Sequence, residues 1–202
     1  MVKKIITNEL TENIIKYLKT NLSKKRYTHS KNVAAMSAEL AKLYGEDIER
    51  AYFAGLVHDI AKELSRDEQF VLAAKCEMNV SPIELNATPL LHAIAGAQML
   101  IEDFDFHDEE ILWAVRWHTV GAPDMSKLAQ IVYLADLVSE DRDYKDVKKY
   151  RKFAHTSLEK GMYEALKFSV ADSASKGNSI PACTFEAYNE YVAKAKEIKN
   201  DK

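Results

Sequence analysis

The sequence predicts an all-α fold, a single helical bundle, on three observations. Apolar residues recur at three- and four-residue spacing along most of the 202 positions, the period of a helix face. Only six glycines and four prolines occur, so turn signals are few. The alternation that marks a half-buried strand is nowhere sustained. A chain of this length buries roughly 70% of its unfolded surface as one unit. No repeat, low-complexity tract or linker divides it. Residues 1–202 are therefore expected to form one domain, with a chemical core over about 26–140 and further helices over 146–202 packed on it.

The elements follow in order. Leu10, Ile14, Leu18 and Leu22 form one helical face, with Thr7 or Asn8 at its start. Thr28 is placed to cap a second helix whose stripe is Val33, Met36, Leu40 and Leu43, closed by Gly45. His29 falls four residues before Val33 and points along that stripe. A third helix from Asp47 is expected to bury Ile48, Ala51, Tyr52 and Gly55 and to end at His58-Asp59. Ser65 and Glu68 make a capping-box pattern for a helix reaching Cys76. Ser81-Pro82 opens a short segment to Ala87, and Pro89 precedes a helix with His92, Ala95, Gly96 and Met99 on one side. Asp108, Glu109 and Glu110 put negative charge at the start of a helix holding Ile111, Leu112, Val115 and His118. After Gly121 and Pro123, Ala129, Val132 and Asp136 share a side of the next helix. Helical pattern continues over Asp146–Ala174, and Phe185–Ile198 reads as a terminal helix.

Composition excludes several functions. Hydrophobic residues make up 47% and charged residues 29%, ordinary for a soluble globular protein. The net charge of −3 and the shortness of the Lys24-Lys25-Arg26 and Lys148-Lys149 clusters argue against a nucleic-acid polymer as partner, and both clusters read as solvated helix ends. Met1–Ile6 lacks an apolar core of signal-peptide length, and no apolar run approaches 18 residues, so a cytoplasmic protein with no membrane span is expected. Cys76 and Cys183 stand far apart and read as small buried apolar residues in a reducing compartment.

The chemistry concentrates in one ordered series: His29, His58-Asp59, His92, His118 and Asp136, each point on a different helix. Four of the six histidines belong to it, whereas His107 and His155 stand outside and read as exposed or capping residues. Buried carboxylates without partners cost several kcal/mol. A shared metal centre relieves that cost for every member at once. Imidazole and carboxylate ligands without thiolate suit iron or manganese, with zinc as a further fit.

At this point the residues carry a resemblance. His29, His58-Asp59 and Asp136 match the signature of the HD-domain metal-dependent phosphohydrolases, and His92 and His118 match the subset that holds two metals. More narrowly, the chain resembles the bacterial YqeK-type symmetrical dinucleoside tetraphosphatases. The runs that carry the likeness are Arg26-Tyr27-Thr28-His29-Ser30, Gly55 to Lys62, Leu90 to Ala93 with Gly96-Ala97, Ala114 to Gly121, and Ile131 to Asp136. It extends over roughly residues 10–190. The usual Glu-Pro-x-Arg after the last ligand reads here Ser139-Glu140-Asp141-Arg142, which keeps the arginine. In the stretch Ile180 to Asn189, Thr184 and Asn189 remain, while Pro181 and Tyr188 stand where histidine and arginine are usual.

The resemblance implies an enzyme that cleaves diadenosine tetraphosphate to two ADP with two divalent transition metals, iron foremost. One metal would take His29, His58, Asp59 and Asp136; the other would take Asp59, His92 and His118. Asp59 is the natural bridge, because one oxygen can serve each ion. Paired metals activate water and clamp phosphoryl oxygens. Lys62 and Arg142 are expected to act with Asp59 in catalysis by meeting the phosphates, Arg142 through its planar fork. His29, His92, His118, Thr119 and Thr184 are expected to border the substrate, with Thr119 and Gly121 letting backbone amides approach. A homodimer is expected from the resemblance alone. Two other functions stay open on the sequence: the same site acting on a nucleoside monophosphate, cyclic dinucleotide or guanosine alarmone, and a nucleotide-binding module without catalysis.

Overall fold

The computed structural model describes residues 6–200, with side chains through residue 196. The expectation for Met1–Ile6 thus lies, except for Ile6, outside the described residues. Eleven helices and no strand occur among those described: α1 Asn8–Asn21, α2 Lys24–Tyr44, α3 Ile48–Val57, α4 Arg66–Lys75, α5 Pro82–Asn86, α6 Thr88–Phe104, α7 Glu109–Trp117, α8 Lys127–Val138, α9 Val147–Thr156, α10 Leu158–Ser175 and α11 Ala182–Asn200. The fold is all-α. None of these helices is long and apolar enough to cross a membrane.

Side-chain caps set most of the starts. Thr7, Asp47, Asp108 and Ser126 each accept an amide of the first turn, and Ser65 and Ser81 do so within complete capping boxes. The second helix departs from expectation. Ser23, not Thr28, is its cap, and Glu63 accepts from both the Ser23 amide and its hydroxyl. The earlier start puts Arg26 and His29 one turn apart on the same helix. Helical pattern over Asp146–Ala174 is split in two, because Ser157 is extended and caps α10.

Leu43, Ile48 and Tyr52, expected in the core, are exposed. The reason is the crossing of α2 and α3. Gly55 of α3 packs closely on Val33, Ala34 and Ser37 of α2, and α3 buries Ala51 and Ala54 along with it while Ile48 and Tyr52 face outward. Cys76 and Cys183 are half-buried rather than buried, and burial pushes each thiol up. Around α2, α3, α7 and α8 runs one contiguous apolar core, which also takes in Ala154, Met162, Leu166, Ala187 and Tyr191 from α9, α10 and α11. The site lies inside this core, where helices α2, α3, α6, α7 and α8 meet.

Candidate metal centre

Each helix delivers its residue at a place the sequence pattern dictates. His29 lies on the buried stripe of α2 and His92 on that of α6. His58 and His118 each cap the carboxyl end of a helix, α3 and α7. Because the chain leaves α3 at His58, Asp59 in the following turn faces the same side as its neighbour, which two consecutive residues inside a helix, ~100° apart, would not do. Asp136 comes from α8. All four imidazoles and Asp59 are buried.

The rings form a ladder, with centroids 5.2 Å apart for His29–His58, 4.9 Å for His58–His118 and 5.1 Å for His92–His118. Asp59 divides its two oxygens between the halves of that ladder. Its Oδ2 lies 3.4 Å from His58 Nε2 and 3.9 Å from His29 Nε2; its Oδ1 lies 3.2 Å from His92 Nε2 and 3.6 Å from His118 Nε2. Asp136 Oδ1 sits 2.9 Å from His29 Nε2 and 3.7 Å from His58 Nε2.

The opposite ring nitrogens are already engaged. Nδ1 of His58 donates to the Gly55 carbonyl and Nδ1 of His118 to the Val115 carbonyl, both at 2.7 Å, and Nδ1 of His29 meets Asp141 Oδ2 at 2.8 Å. A carbonyl partner requires the proton on Nδ1 of His58 and His118 and leaves their Nε2 as the lone-pair donor, the arrangement that metal-ligating histidines use, and Asp141 is placed to do the same for His29. His58 Nε2 is buried with no hydrogen-bond partner. Leaving such an atom unmatched costs about 1–3 kcal/mol. Ligand atoms of His29, His58 and Asp59 lie within 4.8 Å of one another, as do those of Asp59, His92 and His118 and those of His58, His118 and Asp136. The donor set and its orientation fit divalent metal.

Electrostatics keeps the set ready for a cation. Burial would raise the Asp59 carboxyl, but the charge of His58 beside it, with His118 and His92 close by, holds it well below the usual carboxylate range. Asp136 is likewise depressed, against its burial, by His29 and Arg142. Burial pushes His92 down to about 4 and lowers His118, so both are neutral near pH 7, as metal ligation requires. His58 moves up instead: burial pulls it down, but Asp59, Asp136 and the Gly55 carbonyl together outweigh burial.

Three cations surround the cluster. Lys62 Nζ is 3.0 Å from His92 Nε2 and 4.0 Å from Asp59 Oδ1, and burial lowers its pKa. Arg142 donates from Nε to the Asp136 carbonyl at 2.8 Å and pairs its fork with the Asp136 carboxylate. Arg26 was expected as a solvated helix end, yet its Nη1 lies 2.6 Å from Asp59 Oδ2. The signal was available: Arg26 precedes His29 by one helical turn. Asp141 was also missed as a partner of His29. Thr119 follows His118 with its hydroxyl buried and unpartnered. Thr184 is buried in the first turn of α11, and no hydrogen bond joins its hydroxyl to the cluster. His107 pairs with Asp105, and His155 with Glu39 and the Arg151 carbonyl, away from the centre.

A five-helix cradle holding His, His-Asp and Asp at these positions defines an HD-domain protein, and the HD domain family model matches residues 26–141. The chain belongs to that family, whose hydrolases bind divalent metals. It is 32% identical over 182 residues to a Halalkalibacterium halodurans protein named bis(5'-nucleosyl)-tetraphosphatase, symmetrical, covering 90% of this chain and 97% of that one. A Bacillus subtilis protein of the same name is 31% identical over 182 residues, with the same shares covered. A crystal structure from Clostridium acetobutylicum, described as a predicted HD superfamily hydrolase involved in NAD metabolism, matches with a TM-score of 0.86 at 33% identity. That likeness covers 91% of this chain and 97% of the other.

Proposed function

We propose that this protein is a metal-dependent phosphohydrolase that cleaves diadenosine tetraphosphate and related dinucleoside polyphosphates symmetrically, giving two ADP. The observation that carries the reading is the division of Asp59, one oxygen toward His29 and His58 and the other toward His92 and His118, ringed by Arg26, Lys62 and Arg142. Two divalent ions, with Asp59 able to serve both and cations around the cluster, would suit a densely anionic phosphate chain. The names of the relatives, matched over nine-tenths of this chain, support the same substrate.

In this reading His29, His58, Asp59 and Asp136 hold one metal, and Asp59, His92 and His118 hold the other. Iron is the metal proposed, with manganese and zinc as replacements that the oxygen and nitrogen ligands accept. Bound metal supplies Lewis acidity and an activated water. The protein supplies position: Arg142 offers a planar fork to phosphate oxygens and Arg26 adds charge in the His29–His58 half, while Lys62 adds charge in the His92–His118 half. With the central phosphates over the cluster, water attacks the second phosphorus from one end. The bond to the bridging oxygen breaks, one ADP leaves and the other retains the new oxygen. We place Thr119 beside the substrate on the strength of its unpartnered hydroxyl. The Thr184 hydroxyl is buried and unpartnered as well, but it lies on α11, outside the five helices that supply the cluster.

The test is a panel of diadenosine tetraphosphate, nucleoside monophosphates, cyclic dinucleotides and guanosine alarmones incubated with metal-loaded protein in water enriched in heavy oxygen. ADP as the sole product, with half of it labelled on the terminal phosphate, is expected. AMP with ATP, or turnover confined to the other nucleotides, overturns the proposal while leaving the HD site standing. Sedimentation of the same preparation tests the homodimer drawn from the resemblance.

A further inference from the structure

The three imidazoles with engaged Nδ1 atoms achieve this in two ways. His58 and His118 stand at helix ends, and each donates to the carbonyl three residues back. Carbonyls of a last helical turn lack an intrahelical amide and are open to such a bond. His29 has no such recourse. It lies inside α2, where the carbonyls already accept amides four residues on. Its partner comes instead from the loop after α8, Asp141 Oδ2 at 2.8 Å. The other oxygen of Asp141 accepts from Asn32 Nδ2 of α2 at 3.1 Å, so the carboxylate is anchored to the same helix as the ring it meets.

The loop itself is held from behind. Arg151 of α9 donates to the carbonyls of Val138 at 2.8 Å, Ser139 at 2.6 Å, Glu140 at 3.2 Å and Arg142 at 2.9 Å. One guanidinium therefore fixes the loop that carries both Asp141 and Arg142. A side chain with five donors in a rigid plane is suited to such a clasp, and a lysine is not.

We infer that Asp141 is a positioning residue for His29, keeping the proton on Nδ1 so that Nε2 faces the point shared with His58 and Asp59, and that Arg151 holds Asp141 in place. The inference rests on the metal-centre reading above. Partners of this kind, when removed, cost about 10–100-fold in metal affinity. Because Asp141 touches only His29 among the six, the loss should fall on one ion and spare the one held by Asp59, His92 and His118.

The experiment is a manganese titration of the metal-stripped full chain by calorimetry. Asp141→Ala should weaken one of two equivalents about 10–100-fold and leave the other unchanged. Asp141→Asn, which keeps an acceptor oxygen for Nδ1–H, should restore most of that loss. Arg151→Ala should weaken the same equivalent and also raise the Michaelis constant, since Arg142 shares the loop. Wild-type affinity for both equivalents in Asp141→Ala, or equal weakening of both, overturns the inference. The hydrogen bond is also read without any variant: the imidazole nitrogen spectrum of the wild type should show His29 with a protonated Nδ1 protected from exchange. An unprotonated Nδ1 overturns the inference. Failure of the wild type to bind manganese defeats the metal reading and this inference with it, whereas two bound ions beside an unaffected Asp141→Ala defeat only the role of Asp141.

Discussion

Replacing Gly55 by alanine tests how closely α2 and α3 must approach to bring His29 beside His58. A Cβ there would lie 2.6 Å from Ser37 Oγ and 2.9 Å from both the Ala34 Cα and the Val33 carbonyl oxygen. Comfortable contacts between such atoms are about 3.5 Å. The serine hydroxyl can rotate away, but the other two atoms belong to the α2 backbone, so the helices must separate. Overpacking costs about 1–3 kcal/mol, and two backbone clashes put this case near the top of that range. Alanine returns about 1 kcal/mol as a better helix former. The net expectation is a loss of about 2 kcal/mol, which in a chain of 202 residues lowers the melting midpoint by about 4–8 °C. Metal affinity should fall as well, because the Gly55 carbonyl is the acceptor for His58 Nδ1. Ser37→Ala is the control background. Its hydroxyl is buried without a partner, so removing it alone costs little, and in that background Gly55→Ala should regain less than half of its loss. Calorimetric melts of the four proteins decide the matter. A Gly55→Ala protein melting within about 1 °C of wild type refutes the packing argument. Complete recovery in the double variant would show that the hydroxyl, not the α2 backbone, sets the spacing.

The remaining predictions concern the site and its supports. Asp59→Ala should abolish turnover and lower occupancy of both metals, measured by elemental analysis; near-normal activity would end its role as bridge. His92→Ala and His118→Ala should each deplete one metal and leave the other in place, and equal loss of both would contradict the partition proposed for the ligands. Arg26→Ala and Arg142→Ala should keep their metal and lose about 1.5–3 kcal/mol of substrate binding each, read as a tenfold or greater fall in kcat/KM. Unchanged kinetics would return either arginine to a surface role. Arg116 and Glu84, 2.7 Å apart, are wholly buried between α7 and α5. Arg116→Met should cost about 3–5 kcal/mol by stranding the carboxylate, and adding Glu84→Gln should recover a large part; denaturant melts showing no recovery would contradict this account.

The His/Asp cluster was legible in the sequence because most of its members lie on or directly continue a periodic apolar face, and a titratable residue there stands out against its neighbours. His92 among Ala95, Gly96 and Met99 is such a case, and so is Asp136 in line with Ala129 and Val132. The helix starts were legible where a capping side chain stood directly before the periodic run, as at Ser65 and Asp108. Thr28 misled because its side chain is as good a cap as Ser23, and only the tie from Glu63, 40 residues on, selects the earlier one. Ile48 and Tyr52 misled for a related reason. Two faces of α3 share Ala51 and Gly55, and the choice between them depends on what α2 offers across the contact.

The cations were harder to read than the ligands, and the difference is physical. A buried carboxylate or imidazole needs its environment explained from the pattern alone, whereas an arginine near a helix end is satisfied by water and raises no conflict. Arg26 stands in a run of three basic residues and is a site residue only because α2 begins at Lys24, which orients it toward Asp59. Lys24 and Lys25, its neighbours, are exposed. Asp141 poses the same difficulty in the loop after α8, where no period applies and Arg151 clasps the backbone from behind; Arg142 beside it is read from the family resemblance, not from a period. Helical periodicity therefore exposes what a metal would need, since such ligands are buried, and conceals what a phosphate chain would need, since such groups remain partly in water. On the function proposed, substrate recognition would depend on the cap that starts α2 and the clasp on the loop after α8. A search for it in related sequences should begin with residues that fix the start of α2 and the loop after α8, not with the charged residues themselves.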